Sequence, residues 1–456
     1  MEYRDASMAE ILDAREARAE RQRTLLQGCA SLLCFTMNIA GPRKRSRLID
    51  AAFLAAQSDI LAVLHGHGQS TEAALTVSTA AGNELYLPSA LEPEALKAML
   101  LPLEEQSEFG RLLDLDVLRP DGSKVSRTEL GLPERCCLIC GEPGLSCARS
   151  RRHPVAELRE ATERILRNEL FARCADRIAS LAVRALLFEV GTTPKPGLVD
   201  LQNSGAHRDM DCFTFFSSAA ALSPYFRTCA LRGLDSTEKS PEALFSELRL
   251  PGLLAEAEMY CATGGVNTHK GAIFLIGTLC AAIGRSLAQS ESWNTDRVLA
   301  LCGEMSRGVF AELKTGSGET AGQRLYRQYG FPGVRGELAA GLPSVRDIAL
   351  PTLSEGLARG LSLNDAAACA LCHLAAAIPD TAMIARIGYE SWKTVSAALA
   401  ARLRDNPFPS MSELRAWDAD FTEKNCSPGG CADLLAAALL LRFCAAELSA
   451  EPHLKS

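Results

Sequence analysis

Two carboxylates stand one residue apart in Gly110-Arg111-Leu112-Leu113-Asp114-Leu115-Asp116-Val117. In a strand, alternate residues share a face, so Asp114 and Asp116 point the same way. So placed, they can hold Mg2+, which takes oxygen ligands and bridges to phosphates during nucleotidyl transfer. The alternative is a solvated strand face. Further on, Cys137-x2-Cys140, Cys147 and His153 have the donor types and spacing of a structural Zn2+ site, with Cys136 as a substitute ligand. Here the alternative is a set of reduced thiols. Arg149, Arg151 and Arg152 beside that cluster, and Arg43-Lys44-Arg45 earlier, suit either a phosphate-rich ligand or plain surface charge.

The later part of the chain carries its chemistry on polar loops between apolar segments. Glu189–Asp211 (EVGTTPKPGLVDLQNSGAHRDMD) holds Lys195, Asp200, Asn203, His207, Arg208, Asp209 and Asp211, and its prolines and glycines block a helix. Gly264–Gly271 (GGVNTHKG) opens an apolar helix over 272–283. Free amides at a helix N-terminus bind anions, and Lys270 adds a point charge. Tyr329–Pro343 sets Arg335 and Glu337 in a glycine-rich turn. Pro379–Arg386 puts Asp380 and Arg386 at a helix start. Cys426–Asp433 enters another helix, with Ser427 as the cap and Asp433 inside. Each alone reads as a cap or turn, but five such loops carrying acids or bases imply one shared pocket.

The elements that must position these groups fall into two parts. Up to about residue 165, helical patterns at Met8–Gln27 and Arg47–Val63 alternate with strand-like runs at Ser31–Ala40, Ala74–Ser78, Asn83–Pro88 and Leu112–Leu118. This part reads as α/β or α+β. His153–Leu170 is a charged helical pattern between the parts. From about residue 170 strand signals nearly vanish. Ala-rich helical segments alternate with loops at 191–206, 263–271, 315–322, 330–344 and 426–430, which predicts an all-α domain.

Composition narrows the function classes. A chain of 456 residues predicts two or three domains. A net charge of -7 argues against a general nucleic-acid binder, which needs a basic surplus. The 17 cysteines without a secretory leader predict a reducing cytoplasm. The apolar stretch Gly271–Gly284 is shorter than the ~20 residues of a membrane span, which predicts no membrane partner.

Longer strings bring a resemblance. FTMNIAGPRKRS, GRLLDLDVL, Ser126-Arg127 and LPERCCLICGEPGLSCARSRRH resemble the holo-citrate lyase synthases, the phosphoribosyl-dephospho-CoA transferases, over roughly residues 5–165. TTPKPGLVD, NSGAHRDMD, GVNTHKGAIF, GVRGE and SPGGCADLLA resemble the triphosphoribosyl-dephospho-CoA synthases over about 172–445. The resemblance implies a bifunctional transferase. A nucleotidyltransferase-like α+β domain over 1–168 would precede an all-α synthase domain over 169–456. The synthase would join ATP to 3′-dephospho-CoA, with adenine leaving and the triphosphate retained. The transferase would load the product onto a serine of the citrate lyase acyl-carrier (gamma) subunit, releasing diphosphate. The malonate decarboxylase carrier is an alternative target, and one inactive domain acting as a docking module is another alternative.

That chemistry and the matched motifs imply roles. Lys195, Arg208, Asn267, Lys270, Arg335 and Arg386 are phosphate- or nucleotide-binding candidates. Asp209, Asp211 and Asp433, like Asp114 and Asp116, are candidates for Mg2+. Glu189 or Glu337 is the expected base, and His207 or His269 the expected acid. The chain departs from the synthase pattern at Arg386-Ile387-Gly388, where Arg-Gly-Gly is usual, and at Cys431, where a small hydroxyl residue is usual.

Overall fold

The computed structural model describes residues 3–289, 292–309 and 321–448. The expected loop at 315–322 lies, up to residue 320, outside the described residues. The chain divides into two compact units, one up to Ala172 and one from Arg173.

Unit 1 is built on four strands: β1 (Ser31–Met37), β2 (Leu75–Thr79), β3 (Gly82–Ser89) and β4 (Leu113–Leu118). Their order is β2-β3-β1-β4 and every neighbour is antiparallel, which makes this part α+β. Its helices are α1 (Met8–Leu25), α2 (Arg47–Gly66), α3 (Pro93–Glu105), α4 (Gly144–Ser150) and the start of α5 (Val155–Gly191). Alternation places Leu33, Phe35, Leu85, Leu87, Leu115 and Val117 on one sheet face. There they pack on Phe53 and Ile60 of α2 and Leu96 and Leu100 of α3, with Ile165, Leu166 and Leu170 of α5 in the same cluster. Phe35 and Phe53 stack with centroids 4.8 Å apart. On the other face Leu32, Cys34, Tyr86 and Leu118 meet Leu25 and Leu26.

The segments read separately as His153–Leu170 and the apolar run before Glu189 are one 37-residue helix, α5. No proline or glycine interrupts it until Gly191, so nothing in the backbone stops it earlier.

Unit 2 is helical among its described residues. After the end of α5 come α6 (Cys212–Ala221), α7 (Ser223–Leu234), α8 (Pro241–Glu247), α9 (Arg249–Ala262), α10 (Lys270–Gln289) and α11 (Thr295–Ser306). Then follow α12 (Ala321–Tyr329), α13 (Gly333–Ala339), α14 (Leu350–Ala358), α15 (Leu363–Ala377), α16 (Thr381–Ile387), α17 (Tyr389–Asp405), α18 (Met411–Glu423) and α19 (Gly429–Glu447). Buried α10 is the core of this unit. It meets α7 at glycines: a Cβ on Gly233 would lie 2.0 Å from the Ala281 carbonyl oxygen, and one on Gly284 2.4 Å from that of Ala230. Only glycine lets the two backbones approach so closely.

Three expectations need correction. Arg335 and Glu337 lie on the short helix α13, not in a turn. The left-handed Gly333, at φ +57°, only starts it. Ser427 does not cap α19, whose N-cap is Pro428, and the Ser427 hydroxyl is turned to His207. Finally, α2, α10 and α19 are each long and apolar enough to span a membrane by length and composition. The uninterrupted apolar stretch ends at Gly284, but α10 continues to Gln289, with Arg285 and Ser286 also buried. In α10, 78% of the apolar window is buried within the fold.

Candidate active sites

In unit 2 all five polar segments contribute to one cavity of about 550 Å3. It is lined by Glu189, Lys195, His207 and Asp209 from the first segment, by Asn267, His269 and Lys270 at the start of α10, and by Arg335, Arg386 and Asp433. Arg208, Asp211 and Glu337 are not among its lining residues. Arg208 is exposed. Asp211 caps α6, accepting from the Thr214 amide at 2.9 Å. Glu337 accepts from the Ser344 hydroxyl at 2.7 Å and its amide at 3.1 Å. These three side chains are committed to, or placed in, other surroundings, which corrects the expectation that they share the pocket.

The loop 193–206 is held by acids that the sequence reading gave no role. Asp200 accepts from the amides of Lys195, Gln202 and Asn203. Asp418 of α18 accepts from the Gly197 amide at 2.9 Å and the Asn203 side chain at 2.8 Å. Gly197 has φ +72°, and a Cβ there would stand 2.0 Å from the Cys426 carbonyl oxygen. Asp418 lies mid-helix in an otherwise ordinary amphipathic pattern, so no local signal marks it.

Lys195 is buried and ion-paired with Glu189: Nζ is 2.6 Å from Oε1 and 2.9 Å from the Glu189 carbonyl oxygen. Burial pushes the Glu189 carboxyl up, and Lys195 opposes it. Asp433 projects from α19 against the first turn of α10, where a Cβ on Gly271 would be 2.0 Å from Oδ2. Burial first, then the charges of Glu189 and Asp380, push its pKa well above the carboxylate range. Asp380, itself buried, caps α16 through the Met383 amide and accepts from the Cys431 amide. The Ile387 departure falls on the last residue of α16, and the turn after it is made by Gly388 at φ +81°.

The two histidines are both kept neutral. His269 is buried; Nδ1 is 2.7 Å from Ser218 Oγ, which in turn accepts from Thr268 at 2.8 Å. With Ser218 donating to Nδ1, the ring proton sits on Nε2, an atom buried without a hydrogen-bond partner among the described residues. Burial and the nearby Lys195 lower its pKa to about 3. His207 bonds Ser427 through Nε2 at 2.9 Å, and Arg386 donates to Nδ1 at 3.0 Å. Burial and then the Arg386 charge lower its pKa as well. Neither ring is therefore an imidazolium acid; each can only donate from its neutral form. Among the cations, Lys270 pairs with Glu256 at 2.7 Å, Arg386 also holds the Ala206 carbonyl and Asn425, and Arg335 lies 5.8 Å from the Phe274 ring centre.

In unit 1 Asp114 and Asp116 share the α1 face of β4, opposite Thr36 and Cys34 of β1. Asp116 pairs with Lys124. Asp114 has no hydrogen bond or ion pair among the described residues. Desolvation of its carboxylate and the charge of Asp116 raise its pKa, with Arg135 and Lys124 opposing. Behind β4, Glu104 is a buried carboxylate held by Lys97 at 2.9 Å, Arg127 at 3.2 Å, Arg135 at 2.5 Å and the Leu115 amide at 3.2 Å. A groove of about 1500 Å3 carries Arg111, Arg127, Arg135 and Arg151, with Glu104 and the cysteine cluster. Asp114 and Asp116 are not among its lining residues. Arg43 and Arg45 are spent on Asp5 and Asp50, and Lys44 on the Ile39 carbonyl oxygen, so that basic run is structural.

The chain thus pairs an antiparallel α+β unit bearing an acidic strand pair with a helical unit whose loops close a cation- and acid-lined cavity. Residues 6–169 match the family model of CitX, apo-citrate lyase phosphoribosyl-dephospho-CoA transferase. Residues 175–451 match that of CitG, ATP:dephospho-CoA triphosphoribosyl transferase. "Protein CitXG" of Haemophilus influenzae is 34% identical over 445 residues, covering 94% of each chain. "Protein CitXG" of Leuconostoc mesenteroides subsp. cremoris is 30% identical, covering 95% of this chain and 96% of its own. The 2-(5''-triphosphoribosyl)-3'-dephosphocoenzyme-A synthase of Haemophilus ducreyi is 37% identical over 320 residues, covering 65% of this chain and 97% of its own. The chain belongs to the CitXG family of transferases, which fuses a phosphoribosyl-dephospho-CoA transferase to a triphosphoribosyl-dephospho-CoA synthase.

Proposed function

We propose that the two reactions are divided between the units, residues 1–168 and 169–456, and that the cavity of unit 2 makes the intermediate that unit 1 spends on the citrate lyase acyl carrier. The carrying observation is the convergence of five loops on one cavity that holds both a cation set and an acid set. In unit 2 the ribose 2′-hydroxyl of dephospho-CoA attacks C1′ of the ATP ribose. A C1′–O bond forms, the bond to adenine breaks, and adenine takes its electron pair. Lys195, Lys270, Arg335 and Arg386 bind the triphosphate, with Asn267 and the first amides of α10 beside them. Glu189, held by Lys195, accepts the hydroxyl proton. The Nε2–H of neutral His269 donates to the departing adenine, and His207 orients Arg386. The Asp209 carboxylate on the cavity wall stabilises the oxocarbenium-like transition state, and Asp433 is left to hold a cation.

Mg2+ suits these carboxylates. Asp433 is pressed into low dielectric beside two other acids with no hydrogen-bond partner among the described residues, a state that calls for a proton or a cation. In unit 1 Asp114 is exposed on β4 with no partner among the described residues, and it shares its strand face with Asp116, so the two carboxylates offer oxygen ligands to a cation from solvent. Asp433 in unit 2 and Asp114 with Asp116 in unit 1 would hold Mg2+, which would supply charge neutralisation of phosphate oxygens. In unit 1 a nucleotidyltransferase-like arrangement on β4 directs a carrier serine at the phosphorus of the phosphoribosyl group. The Ser O–P bond forms, the bond to diphosphate breaks, and the serine proton leaves with solvent. The apolar faces of α10 and α19, folded into the core of unit 2, fit a soluble, cytoplasmic protein.

The test uses the full chain with ATP, dephospho-CoA and apo-carrier. Adenine should appear without carrier present. Asp114→Asn should abolish carrier loading, by at least about a hundredfold as expected for loss of a charge-stabilising group, and leave adenine release unchanged. Loss of both activities would contradict the division of labour.

A further inference from the structure

We propose that Cys137, Cys140, Cys147 and His153 bind one Zn2+, and that this metal fixes the arginine-bearing wall of the unit 1 groove without touching the substrate. Their ligand atoms all lie within 4.8 Å of one another. Cys140 Sγ and Cys147 Sγ are 3.4 Å apart, and both are free thiols. Tetrahedral zinc with Zn–S of about 2.3 Å sets sulfurs roughly 3.8 Å apart, so the cluster closes on a metal with small shifts.

The backbone is already shaped for it. The Cys137 amide donates to Glu142 O at 2.6 Å, and Gly141, at φ +75°, makes the reversal that follows the second thiol. A bridge between Cys136 and Pro143 closes the small loop, and α4 then brings back Cys147.

The imidazole supplies an independent observation. His153 Nε2 is buried with no hydrogen-bond partner. A buried polar atom left unmatched costs stability, and it is rare without a ligand to satisfy it. The other nitrogen, Nδ1, is 3.4 Å from Glu157 Oε2, one turn along α5. A carboxylate behind one ring nitrogen with the other free is the arrangement that orients a metal-binding histidine. Three thiolates and one neutral imidazole, with no place left for water, describe a closed structural site.

The consequence lies in the two arginines that flank the loop. Arg135, just before Cys136, donates to the Leu113 carbonyl oxygen at 2.7 Å and pairs with Glu104 at 2.5 Å. Arg111 donates to the Cys136 and Cys137 carbonyl oxygens at 3.0 and 2.5 Å. Leu113 immediately precedes Asp114. The first end of the metal loop, Arg135–Cys137, is thus fastened to Leu113 and to Arg111 in the turn that leads into the strand of the acidic pair, and the metal acts on transfer by positioning. This last step rests on unit 1 being the carrier-loading site; zinc binding itself does not.

Plasma mass spectrometry of the full chain, purified without chelators, should find one zinc per chain and little iron. Cys140→Ser and His153→Ala should each lower it at least fivefold, and Cys136→Ser should not. Because a variant can misfold locally, wild-type protein exchanged with Co2+ gives a second measurement: thiolate-to-cobalt charge-transfer bands and the intense red bands of a tetrahedral site. Wild-type protein without zinc and without these bands would overturn the site, as would full zinc content in Cys140→Ser. Zinc removal by a mercurial and a chelator, followed by thiol restoration, should cut carrier loading at least tenfold, spare adenine release, and be reversed by added Zn2+. Unchanged loading in zinc-free protein would overturn the positioning role. Carrier loading that survives Asp114→Asn would instead mark a failure of the site assignment in unit 1.

Discussion

Lys195→Met puts a number on the buried pair that the sequence reading had separated into a phosphate ligand and a base. In the folded chain the Lys195 and Glu189 side chains are 2% and 6% exposed and 2.6 Å apart. Removing one partner of such a pair costs about 3–5 kcal/mol, because the other charge stays buried and unmatched. Glu189 has one escape, which is to take a proton. From an ordinary carboxylate pKa of about 4.3, protonation at pH 7 costs about 3.7 kcal/mol, and this ceiling falls by about 1.4 kcal/mol per pH unit. The expected loss is therefore about 3–4 kcal/mol at pH 7 and about 2 kcal/mol at pH 5.5. All three tryptophans, Trp293, Trp392 and Trp417, belong to unit 2, so urea unfolding followed by tryptophan fluorescence reads that unit alone. The double variant Lys195→Met/Glu189→Leu, which replaces both charges with apolar groups, should regain most of the stability while adenine release stays lost. A single variant within about 0.5 kcal/mol of wild type at pH 7, or one equally weakened at both pH values, would refute the reasoning.

Other outcomes are equally specific. His269 has a folded pKa of about 3 against about 6.5 unfolded, so the unfolded chain binds the extra proton between those values. Its contribution is complete above pH 6.5 and is lost as pH falls toward 3, by about 2 kcal/mol at pH 5. His269→Gln should remove that part of the acid limb, measured as the difference between the two unfolding curves; parallel curves from pH 7 to pH 5 would count against a neutral buried ring. Gly271→Ala should drive the Asp433 carboxylate from the α10 terminus, lowering adenine release at least tenfold while carrier loading from supplied intermediate is unchanged. Equal activity would detach Asp433 from the reaction.

Much of this was legible because its signals are local. Short apolar runs bounded by turn residues mark β1, β3 and β4, and the Gly/Pro/Asn loops mark where unit 2 is interrupted. All five loops bring an acid or base to the same cavity, since a polar loop between buried helices has little else to face. The illegible part depends on partners distant in sequence. Nothing in PEALKAMLLPLEE announces that Lys97 and Glu104 are buried, because a helix with a charge every few residues looks like a solvated one. Asp211 and Glu337 read as site residues by neighbourhood, yet each had a closer donor, Thr214 and Ser344. Helix α13 was hidden by its own glycines, which lower helix propensity where tertiary contacts restore it.

The fastening of the 193–206 loop by Asp200 and Asp418 also bears on how a nucleotide is received. A loop that orders only around its ligand charges that ordering entropy against affinity at every encounter. Here the amides of Lys195, Gly197, Gln202 and Asn203 are already engaged, so the entropy is surrendered once, when the chain folds. Association with ATP should then have a small heat-capacity change and a rate set by diffusion and charge. Slackening the loop at Asp418 should show first as weaker, more enthalpy-driven binding rather than as slower chemistry.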